Sequence, residues 1–420
     1  MVNGKLKKGE IIFNGELLMV NGKLPKGWEV KTLDETCKLI TCGVAARPKY
    51  VEEGIPFLSA KNVKEGQIIW SGYNCVSEET HLELTKNNKP LLGDILYTRV
   101  GSYGEAAVIE HDYEFSVFVS LTLIKVDKNI LNNYFLKYYL NSDFVKKLAK
   151  KSISGSGVGN LNVGTVREFP IPLPPLAEQQ RIVATLDKAF AVIAKAKANA
   201  EQNLKNAKEL FESYLQSVLS DKKWERKTIG DLCEKVEYGS STKSKPVGKI
   251  AVLRMGNIQN GRFDWDKLVY SDDEKDNKQY LLKYNDVLFN RTNSPELVGK
   301  TAIYKGEMPA IFAGYLIRLH RKENLLDADF LNYYLNSEMA MEYRKTVVIS
   351  SVNQANINGA KLKTYPIPCP PLKEQQVIVK KLDALSSETK KLEAIYQQKI
   401  NDLDELKKSI LQKAFNGELP

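Results

Sequence analysis

The chain of 420 residues lacks the features of a membrane protein or a disulfide-stabilised secreted protein. No apolar run approaches the roughly 18–20 residues that span a bilayer. The start, Met1 to Lys5, is not followed by the apolar core and cleavage site of a secretion signal, so we expect none. The five cysteines are odd in number and include no CxxC pair. This favours reduced thiols over a disulfide framework or a zinc site, and predicts a cytoplasmic protein without membrane segments.

The residue patterns of several enzyme classes are also missing. An amino-methyltransferase needs Asp or Asn directly before its Pro-Pro pair, but here the pairs follow Leu173 and Cys369. The glycine-rich cluster 155–159 is not a GxGxxG motif, and no P-loop sequence occurs. The three histidines are far apart and lack metal-ligand spacing. We therefore expect no catalytic residue, no cofactor and no metal. A single-chain methyltransferase or nuclease stays open as an alternative that a cofactor-binding assay would decide.

What the chain does contain is a long internal repeat. PIPLPPLAEQQ at 170–180 returns as PIPCPPLKEQQ at 366–376, a shift of 366 − 170 = 196 residues. The same shift relates Trp28 to Trp224 and Cys37 to Cys233. Solenoid repeats are only about 20–50 residues long, so this period indicates a duplicated domain followed by a helix. Two similar halves suggest a molecule that recognises two similar things at a set distance.

The repeat divides the chain into globular and helical segments. The globular copies are 24–169 and 223–365. In the first copy, β-rich runs at 94–98 and 117–124 and a helix over 131–151 predict an α+β domain with a helical element near its end. Residues 170–222 and 366–420 are the helical segments, each introduced by prolines that suit a helix start. Residues 1–23 form an N-terminal arm that continues the C-terminal helical region.

Both helical segments carry an apolar seam with alternating spacings of four and three residues. The first seam is broken at Lys197 and the second at Thr389 and Lys399. The seam positions are Leu186, Phe190, Ile193, Ala200, Leu204, Ala207, Phe211, Tyr214 and Val218 in the first copy, and Leu382, Leu385, Leu392, Tyr396, Leu403, Leu406 and Ile410 in the second. A helix of about 44 residues would be about 66 Å long. Such a seam favours pairing with another helix, although each helix could instead pack on its own domain.

We therefore predict two similar α+β domains separated by two long antiparallel helices that form a coiled coil, with a pseudo-two-fold internal repeat. FNGEL occurs at 13–17 and again at 415–419. This echo suggests that the second helix ends near the start of the first domain. A local duplication of the arm is the alternative explanation.

The charge of the chain is compatible with a polyanionic partner. The net charge is +10 and the sequence pI is near 9.0. A basic surface attracts nucleic acid through its long-range field and through counterion release. Many soluble proteins are mildly basic, so charge alone does not decide the partner.

Together, the paired PIPxPPLxEQQ stretches, the long heptad helices, GDILYTR at 93–99 and the closing AFNGEL resemble the DNA-specificity subunits of type I restriction-modification systems. The resemblance covers nearly the whole chain. It implies two target-recognition domains, each reading one half of a bipartite double-stranded DNA site. It also implies that the helices set the spacing and dock two adenine-N6 methyltransferase subunits, with restriction/translocase subunits completing the complex. The chain itself would be non-catalytic. The first 23 or so residues and Asn285, in place of Gly93, depart from the family pattern.

Candidate DNA-binding residues follow from the side chains that suit phosphate contact or base readout. In the first copy they are Arg47, Lys49, Lys61, Asn62, Arg99, Ser154, Ser156 and Asn160, and in the second Lys243, Lys245, Arg254, Asn257, Arg291, Asn293 and Gln354. Positions alike in both copies are expected to hold the fold or touch the DNA backbone, whereas positions that differ are expected to read different half-sites. An internal salt bridge is the alternative for Arg99 and Arg291, and a turn or cap for the Ser and Asn residues.

Six residues in the first turns of the long helices complete the candidate set. They are Glu178, Gln179, Gln180, Glu374, Gln375 and Gln376. Helix capping and compensation of the helix dipole explain them without any partner. The family resemblance alone implies that they dock the methyltransferase subunits. A coiled-coil scaffold that joins two protein-binding domains is the competing hypothesis for the whole chain, but it gives no role to the basic charge.

Overall fold

The computed structural model describes residues 24–419 except 45–46, 102, 154–158 and 352–353, together with two short strands, Ile12–Phe13 (β1) and Glu16–Leu17 (β2). The chain forms two compact units. Unit 1 runs over Met1–Asn199 and Lys399–Pro420, and unit 2 over Ala200–Gln398. The division between them falls within each of the two long helices.

Unit 1 contains a mixed domain followed by the first part of a long helix. Its further strands are β3 (Glu29–Thr32), β4 (Cys37–Cys42), β5 (Ile55–Leu58), β6 (Val63–Lys64), β7 (Gln67–Ile68), β8 (Asn74–Val76), β9 (Ile95–Thr98), β10 (Ala106–Val108), β11 (Ser116–Val117), β12 (Leu121–Val126) and β13 (Pro170–Leu173). Its helices are α1 (Leu33–Thr36), α2 (Glu78–Thr85), α3 (Asn133–Leu140), α4 (Asp143–Lys151), α5 (Val163–Arg167) and α6 (Leu176–Leu219), which continues into unit 2. A 3₁₀ turn spans Ala60–Asn62.

A four-stranded antiparallel sheet, ordered β10-β9-β12-β4, lies at the centre of unit 1. Its central strands β9 and β12 are buried on both faces, as expected for a sheet covered on both sides. Tyr97 and Ile124 pack into a core with α3, α4 and the long helices. Leu96 and Leu123 pack on the opposite face, against the three-stranded sheet β11-β5-β8.

Unit 2 repeats this arrangement. Its strands are β14 (Arg226–Thr228), β15 (Cys233–Tyr238), β16 (Ile250–Leu253), β17 (Ile258–Gln259), β18 (Arg262–Phe263), β19 (Val269–Ser271), β20 (Val287–Asn290), β21 (Thr292–Asn293), β22 (Thr301–Ile303), β23 (Ala310–Phe312), β24 (Leu316–Arg321), β25 (Ile349–Ser351), β26 (Gln354–Asn356) and β27 (Pro366–Pro368). Its helices are α7 (Ile229–Leu232), α8 (Glu274–Gln279), α9 (Ala328–Leu335), α10 (Glu338–Val347), α11 (Gly359–Lys363) and α12 (Leu372–Phe415), and a 3₁₀ turn spans Met255–Asn257.

Strand pairing confirms the internal repeat. The sheet β15-β24-β20-β22 is antiparallel throughout and matches β4-β12-β9-β10 strand for strand. The parallel pairing of β16 with β23 matches that of β5 with β11. The proline-rich β13 and β27 pair with β3 and β14 as two-stranded sheets, where proline is tolerated because such short edges need few ladder donors. Each unit is therefore α+β, as the sequence predicts.

The repeated tetrapeptide Tyr-Leu-Asn-Ser ends one helix and starts the next. The sequence predicts one helix over 131–151, and this is wrong, because the structure has α3 and α4 with a break at Asn141. The Asn141 side chain bonds Ala106 of β10 instead of continuing the helix, at 3.0 and 2.8 Å. Ser142 then caps α4 by accepting a bond from Val145 N at 3.3 Å.

Within unit 1, the start of α6 runs antiparallel to the end of α12. Arg181 bonds Leu419 O at 3.3 Å, the Lys407 ammonium lies over an aromatic ring of α6, and Lys197 bonds both carboxylate oxygens of Asp404 at 2.7 and 2.8 Å.

 The aromatic partner of Lys407 is Phe190, whose ring centroid lies 5.3 Å from the ammonium nitrogen. The residue numbers on α6 rise as those on α12 fall, which defines the antiparallel direction. Lys197, the break in the predicted seam, is therefore used for an ion pair with the facing helix.

Unit 2 pairs the other ends of the same two helices. Leu215 and Leu219 of α6 share a core with Ile378 and Leu382 of α12. Trp224, just after α6, donates to Glu374 in the first turn of α12 at 3.2 Å. The predicted helix pairing is thus confirmed in each unit. The seam is only partly right, since Leu392 and Leu406 are exposed while Leu215 and Leu411 are buried.

The end of α12 lies beside the start of the first domain in unit 1. Phe415 packs on Phe135 and Tyr139, with ring centroids 5.3 and 5.1 Å away. Gly417 follows with φ of 71° and approaches Pro25 so closely that a Cβ atom would lie 2.1 Å from Pro25 Cγ. The closure suggested by the FNGEL echo is therefore present. In the described part of the chain, no helix is long and apolar enough to cross a membrane.

Candidate nucleic-acid interface

In unit 1, most of the predicted DNA-binding residues lie at one edge of the four-stranded sheet. Strands β4 and β9 are both antiparallel to β12, so their carboxyl ends meet at the same edge. Arg47 and Lys49 follow β4, and Arg99 follows β9. Lys61 joins them because its 3₁₀ turn is tied to the start of β12, where Ala60 N donates to Ser120 Oγ at 3.0 Å.

A glycine at the exit of β4 allows the backbone to turn at this edge. A Cβ atom on Gly43 would lie 2.0 Å from Val117 O, which no side chain could tolerate. In unit 2, a Cβ atom on Gly239 would lie 2.2 Å from Phe312 O. The two glycines are separated by the repeat period, since 239 − 43 = 196. Sequence reasoning missed them, although their shared register was a usable signal.

Arg99 holds the edge of unit 1 together from inside. It is 7% exposed, and its Nε, Nη1 and Nη2 donate to Leu161 O, Val119 O and Asn160 Oδ1 at 2.9, 3.0 and 3.0 Å. The guanidinium therefore makes hydrogen bonds to two backbone carbonyls and one side-chain amide, and not the internal salt bridge considered from the sequence. These bonds tie Asn160 and Leu161 to the end of β9 and to Val119 just before β12, while Asn160 stays exposed.

Arg291 has the equivalent position in unit 2 but a more open setting. Its Nε donates to Gly314 O at 2.9 Å, and its Nη1 reaches Asn356 Oδ1 only at 3.5 Å. The guanidinium lies over the ring of Tyr238, 5.1 Å from the centroid. Tyr238 is itself exposed, and sequence reasoning missed it. A half-exposed arginine on an aromatic ring can still face a ligand.

Asn62 and Asn257 are buried and shape the turns that carry Lys61 and Arg254. Asn62 Oδ1 accepts from Ser59 N at 3.1 Å, and its Nδ2 donates to Ile69 O and Ser71 O. Asn257 makes the corresponding bonds to Arg254 N, Asp264 O and Asp266 O. The placement of both asparagines agrees with a fold role for positions alike in the two copies. The neighbouring Lys61 and Arg254 side chains are exposed.

Unit 2 gathers its candidates at the matching edge. Lys243 and Lys245 are exposed and follow β15, and Arg291 and Asn293 follow β20. The backbone of Lys245 is fixed by two 2.8 Å bonds to Tyr270, and its ammonium bonds Asp272 at 3.1 Å. That bond lowers the pKa of the Asp272 carboxyl. The loop that carries Lys245 therefore has its backbone fixed to β19 at Tyr270.

A small sheet extends the edge in unit 2. Strand β21 pairs with β26, which pairs with β25, so that Asn293 faces Ala355 and Gln354 faces Ser351. Gln354 is exposed. The corresponding candidates of unit 1, Ser154 and Ser156, lie outside the described residues.

The six first-turn candidates differ in exposure. Gln179 and Gln375 are fully buried, and their side chains bond within the chain. Gln180, Glu374 and Gln376 are exposed. Glu178 is half-buried and accepts two 2.8 Å bonds from Arg181, which lower the pKa of its carboxyl.

The site has the chemistry of binding, with basic and amide side chains on loops. Among the described residues, no group of His, Cys, Asp and Glu is arranged to hold a metal ion. Comparison with known families adds the deciding observation. The model of the type I restriction modification DNA specificity domain matches this chain twice, over residues 25–206 and 221–402.

The chain belongs to this family of DNA specificity proteins.

Individual relatives cover nearly the whole chain. The type I restriction enzyme StySPI specificity subunit of Salmonella potsdam is 25% identical, over 96% of this chain and 91% of that protein. The EcoKI specificity subunit of Escherichia coli K12 is 24% identical, with the same coverage of both chains. The two family matches fall on equivalent parts of the repeat, so both halves of the chain are specificity domains.

Solved structures show the same fold. A chain from a study of complex assembly and conformational transition of the type I R-M system aligns with a TM-score of 0.75 at 20% identity. It covers 94% of this chain and 100% of that one. The HsdS subunit from Thermoanaerobacter tengcongensis aligns with a TM-score of 0.59 at 20% identity, covering 94% and 98%.

Proposed function

We propose that this chain is the DNA-binding specificity subunit of a type I restriction-modification complex. Residues 24–169 and 223–365 form two target-recognition domains, and each reads one half of a bipartite site in double-stranded DNA. The helical segments 170–222 and 366–420 set the spacing between the half-sites. The observation that carries the proposal is the duplicated sheet edge, where equivalent loops present different exposed side chains.

Residues that are alike in the two copies and residues that differ between them have different proposed roles at each sheet edge. Asn62, Asn257 and Arg99 shape the loops through bonds within the chain. Exposed lysines and arginines supply the cations that neutralise phosphates. Readout of bases falls to side chains that differ between the copies, among them Arg47 and Lys49 in unit 1 against Lys243 and Lys245 in unit 2. Different contacts of this kind would give the two half-sites different sequences.

The chain is proposed to position a reaction that its partners perform. Two adenine-N6 methyltransferase subunits dock on the helices, with Glu178, Gln180, Glu374 and Gln376 as accessible candidates for contact. Restriction/translocase subunits complete the assembly in the cytoplasm. The arm, residues 1–23, is proposed to continue the C-terminal helical region, and the close approach of Gly417 to Pro25 supports this.

Salt-dependent DNA binding tests the proposal against the scaffold alternative. The affinity of the full-length chain, co-purified with its methyltransferase subunit, should fall linearly with salt on a log–log plot, with a slope of about −0.9 per phosphate neutralised. Replacing Lys49, Lys61, Lys243 and Arg254 by Ala should make the slope shallower, because fewer counterions are released. Lys188→Ala, on the exposed surface of α6, is the control. A complex with no measurable DNA affinity at low salt would favour the scaffold.

A further inference from the structure

The buried glutamine at the start of each long helix joins that helix to its domain. Gln179 is 0% exposed. Its Nε2 donates to Ile130 O at 2.9 Å and to Pro174 O at 2.8 Å, and its Oε1 accepts from Asn132 N at 2.8 Å. Asn132 is the N-cap residue of α3. The amide is therefore paired on both sides and connects the proline-rich lead-in, the first turn of α6 and the start of α3.

The same three-bond contact occurs in unit 2 with different partner residues. Gln375 is also 0% exposed, and it donates to Leu325 O and Pro370 O at 2.8 Å each. Its Oε1 accepts from Asp327 N, at the N-cap of α9, at 2.8 Å. All six partner atoms belong to the backbone. The contact is thus independent of the side chains that distinguish the two domains. Substitution of either glutamine would leave buried backbone groups without a hydrogen-bond partner.

A second contact between the same two helices lies further along each pair. Tyr138 on α3 donates to Asp187 on α6, and Tyr333 on α9 donates to Asp383 on α12 at 2.6 Å. Gln179 and Asp187 are eight residues apart (187 − 179), or about 12 Å along the helix. One contact alone would allow α3 to pivot on the long helix. Two contacts separated along the axis fix the angle between them.

Helix α3 is in turn fixed to the sheet that carries the proposed interface. Asn133 donates to Gly93 O at 2.9 Å, just before β9. Asn141, at the other end of α3, bonds both backbone groups of Ala106 in β10. In unit 2, Asn336 bonds Thr301 of β22 in the same way, at 3.1 and 3.2 Å. A continuous series of hydrogen-bonded residues therefore connects each long helix to the four-stranded sheet of its own unit.

From this arrangement we propose that Gln179 with Tyr138, and Gln375 with Tyr333, are positioning residues that fix the orientation of each recognition domain on its long helix. Their effect is on spacing: they make the complex discriminate between half-sites at the optimal separation and half-sites one base pair closer or further apart. The inference rests on the proposed function. It assigns to the middle glutamine of the EQQ motif a role inside the chain instead of partner docking.

The test compares spacer discrimination in the full-length chain co-expressed with its methyltransferase subunit. The wild-type motif is mapped first, and plasmids are then made with the spacer lengthened or shortened by one base pair. Tyr138→Phe removes one hydroxyl at a half-exposed position and keeps the ring beside Phe190. Gln179→Met removes the three-bond contact. Tyr134→Phe is the matched control, because this tyrosine is on the same helix but its hydroxyl interacts with Glu110 within the domain.

Loss of a single hydrogen bond of ordinary strength changes an equilibrium by about two- to tenfold. We expect Tyr138→Phe to lower the ratio of methylation at the optimal spacer to that at the altered spacers by such a factor. Gln179→Met should lower it further, with the base requirements of both half-sites unchanged and Tyr134→Phe like wild type. If Gln179→Met fails to fold, Tyr138→Phe and its unit 2 counterpart Tyr333→Phe still decide the question.

Two other results would overturn the inference, and they are distinguishable. An unchanged spacer ratio in the tyrosine variants, with lower thermal stability alone, would reduce these residues to a structural role while leaving the proposed function intact. Absence of any bipartite methylation by the wild-type complex would remove the proposed function, and the inference with it.

Discussion

At the residue scale, Arg99 and Arg291 show how one position in the repeat can serve two purposes. Arg99 is buried and satisfies two backbone carbonyls and the Asn160 amide. Arg291 is half-exposed and lies over Tyr238. The same residue type therefore holds the fold in unit 1 and remains accessible in unit 2.

Substitution by alanine should separate these purposes. Arg99→Ala should lower the free energy of unfolding by about 2–4 kcal/mol, because it leaves buried acceptors unpaired. Arg291→Ala should lower the free energy of unfolding by only about 1 kcal/mol but weaken DNA binding about tenfold, through a lost contact to the DNA backbone at the half-site of unit 2. Denaturant unfolding and DNA titration measure the two effects. The assignment is wrong if Arg291→Ala binds DNA like wild type.

The buried charges of unit 2 predict a dependence on pH. Burial disfavours ionisation of Glu237, but hydrogen bonds from Arg318 and His320 outweigh it and lower the pKa of the carboxyl to about 2. Because the folded pKa is depressed, the stabilisation is fully present above the ordinary value of 4.5 and is lost as pH falls toward 2. It amounts to something on the order of 3 kcal/mol.

Glu237→Gln should remove this stabilisation while preserving the shape of the side chain. At neutral pH the variant should unfold more easily than wild type, and the difference should shrink as the solution is acidified below about pH 4.5. Denaturation midpoints over that range provide the measurement. A difference that stays constant with pH would show that Glu237 acts through packing and not through its charge.

At the element scale, the long helices depend on buried leucines at equivalent positions. Leu186 and Leu382 are both 0% exposed and are one repeat period apart, since 382 − 186 = 196. Leu186→Asp should lower the free energy of unfolding by at least about 3 kcal/mol, because it buries an unpaired charge.

Val192→Asp is the control for this substitution. Val192 lies on the same helix but is 68% exposed, so an aspartate there should be nearly neutral. Circular dichroism during denaturation compares the two variants. Similar behaviour of both would contradict the burial of Leu186 in the core that α6 shares with the first domain and the end of α12.

Much of this architecture could be predicted from the sequence, because the repeat and the apolar seams are periodic signals. The break between α3 and α4 could not, since it depends on Asn141 reaching a distant strand. Leu406 follows the seam spacing yet is exposed, whereas the neighbouring Asp404 and Lys407 contact α6. Heptad spacing shows where apolar residues recur along a helix, but it does not show which helical turns are covered by a globular domain.

The candidate site could be located only in part from the sequence, because some of its contacts join residues that are remote in sequence. Basic residues on loops can be found from composition, and the comparison of the two copies separated Asn62 and Asn257 from their exposed neighbours. The buried placement of Gln179 was not predicted, because an EQQ triplet in a first turn suits a cap as well as a partner contact. Its backbone partners, Ile130 and Asn132, are remote in sequence.

At the scale of the whole molecule, the repeat predicts that the two recognition functions are separable. Each globular segment has its own core and its own sheet edge. Replacing residues 24–169 with the corresponding segment of another specificity subunit should therefore change one half of the methylated motif and leave the other half unchanged. Methylation mapping of the exchanged protein gives the result. Altered bases in both halves would contradict independent readout by two domains.

The central claim is that two domains on one chain read two halves of one site. The most direct measurement is co-expression with the methyltransferase subunit in cells that lack such a system, followed by mapping of N6-methyladenine across the genome. The account predicts a split motif with two specific halves at a constant spacing. Methylation of a single undivided motif, or a stable complex that methylates no site, would contradict it.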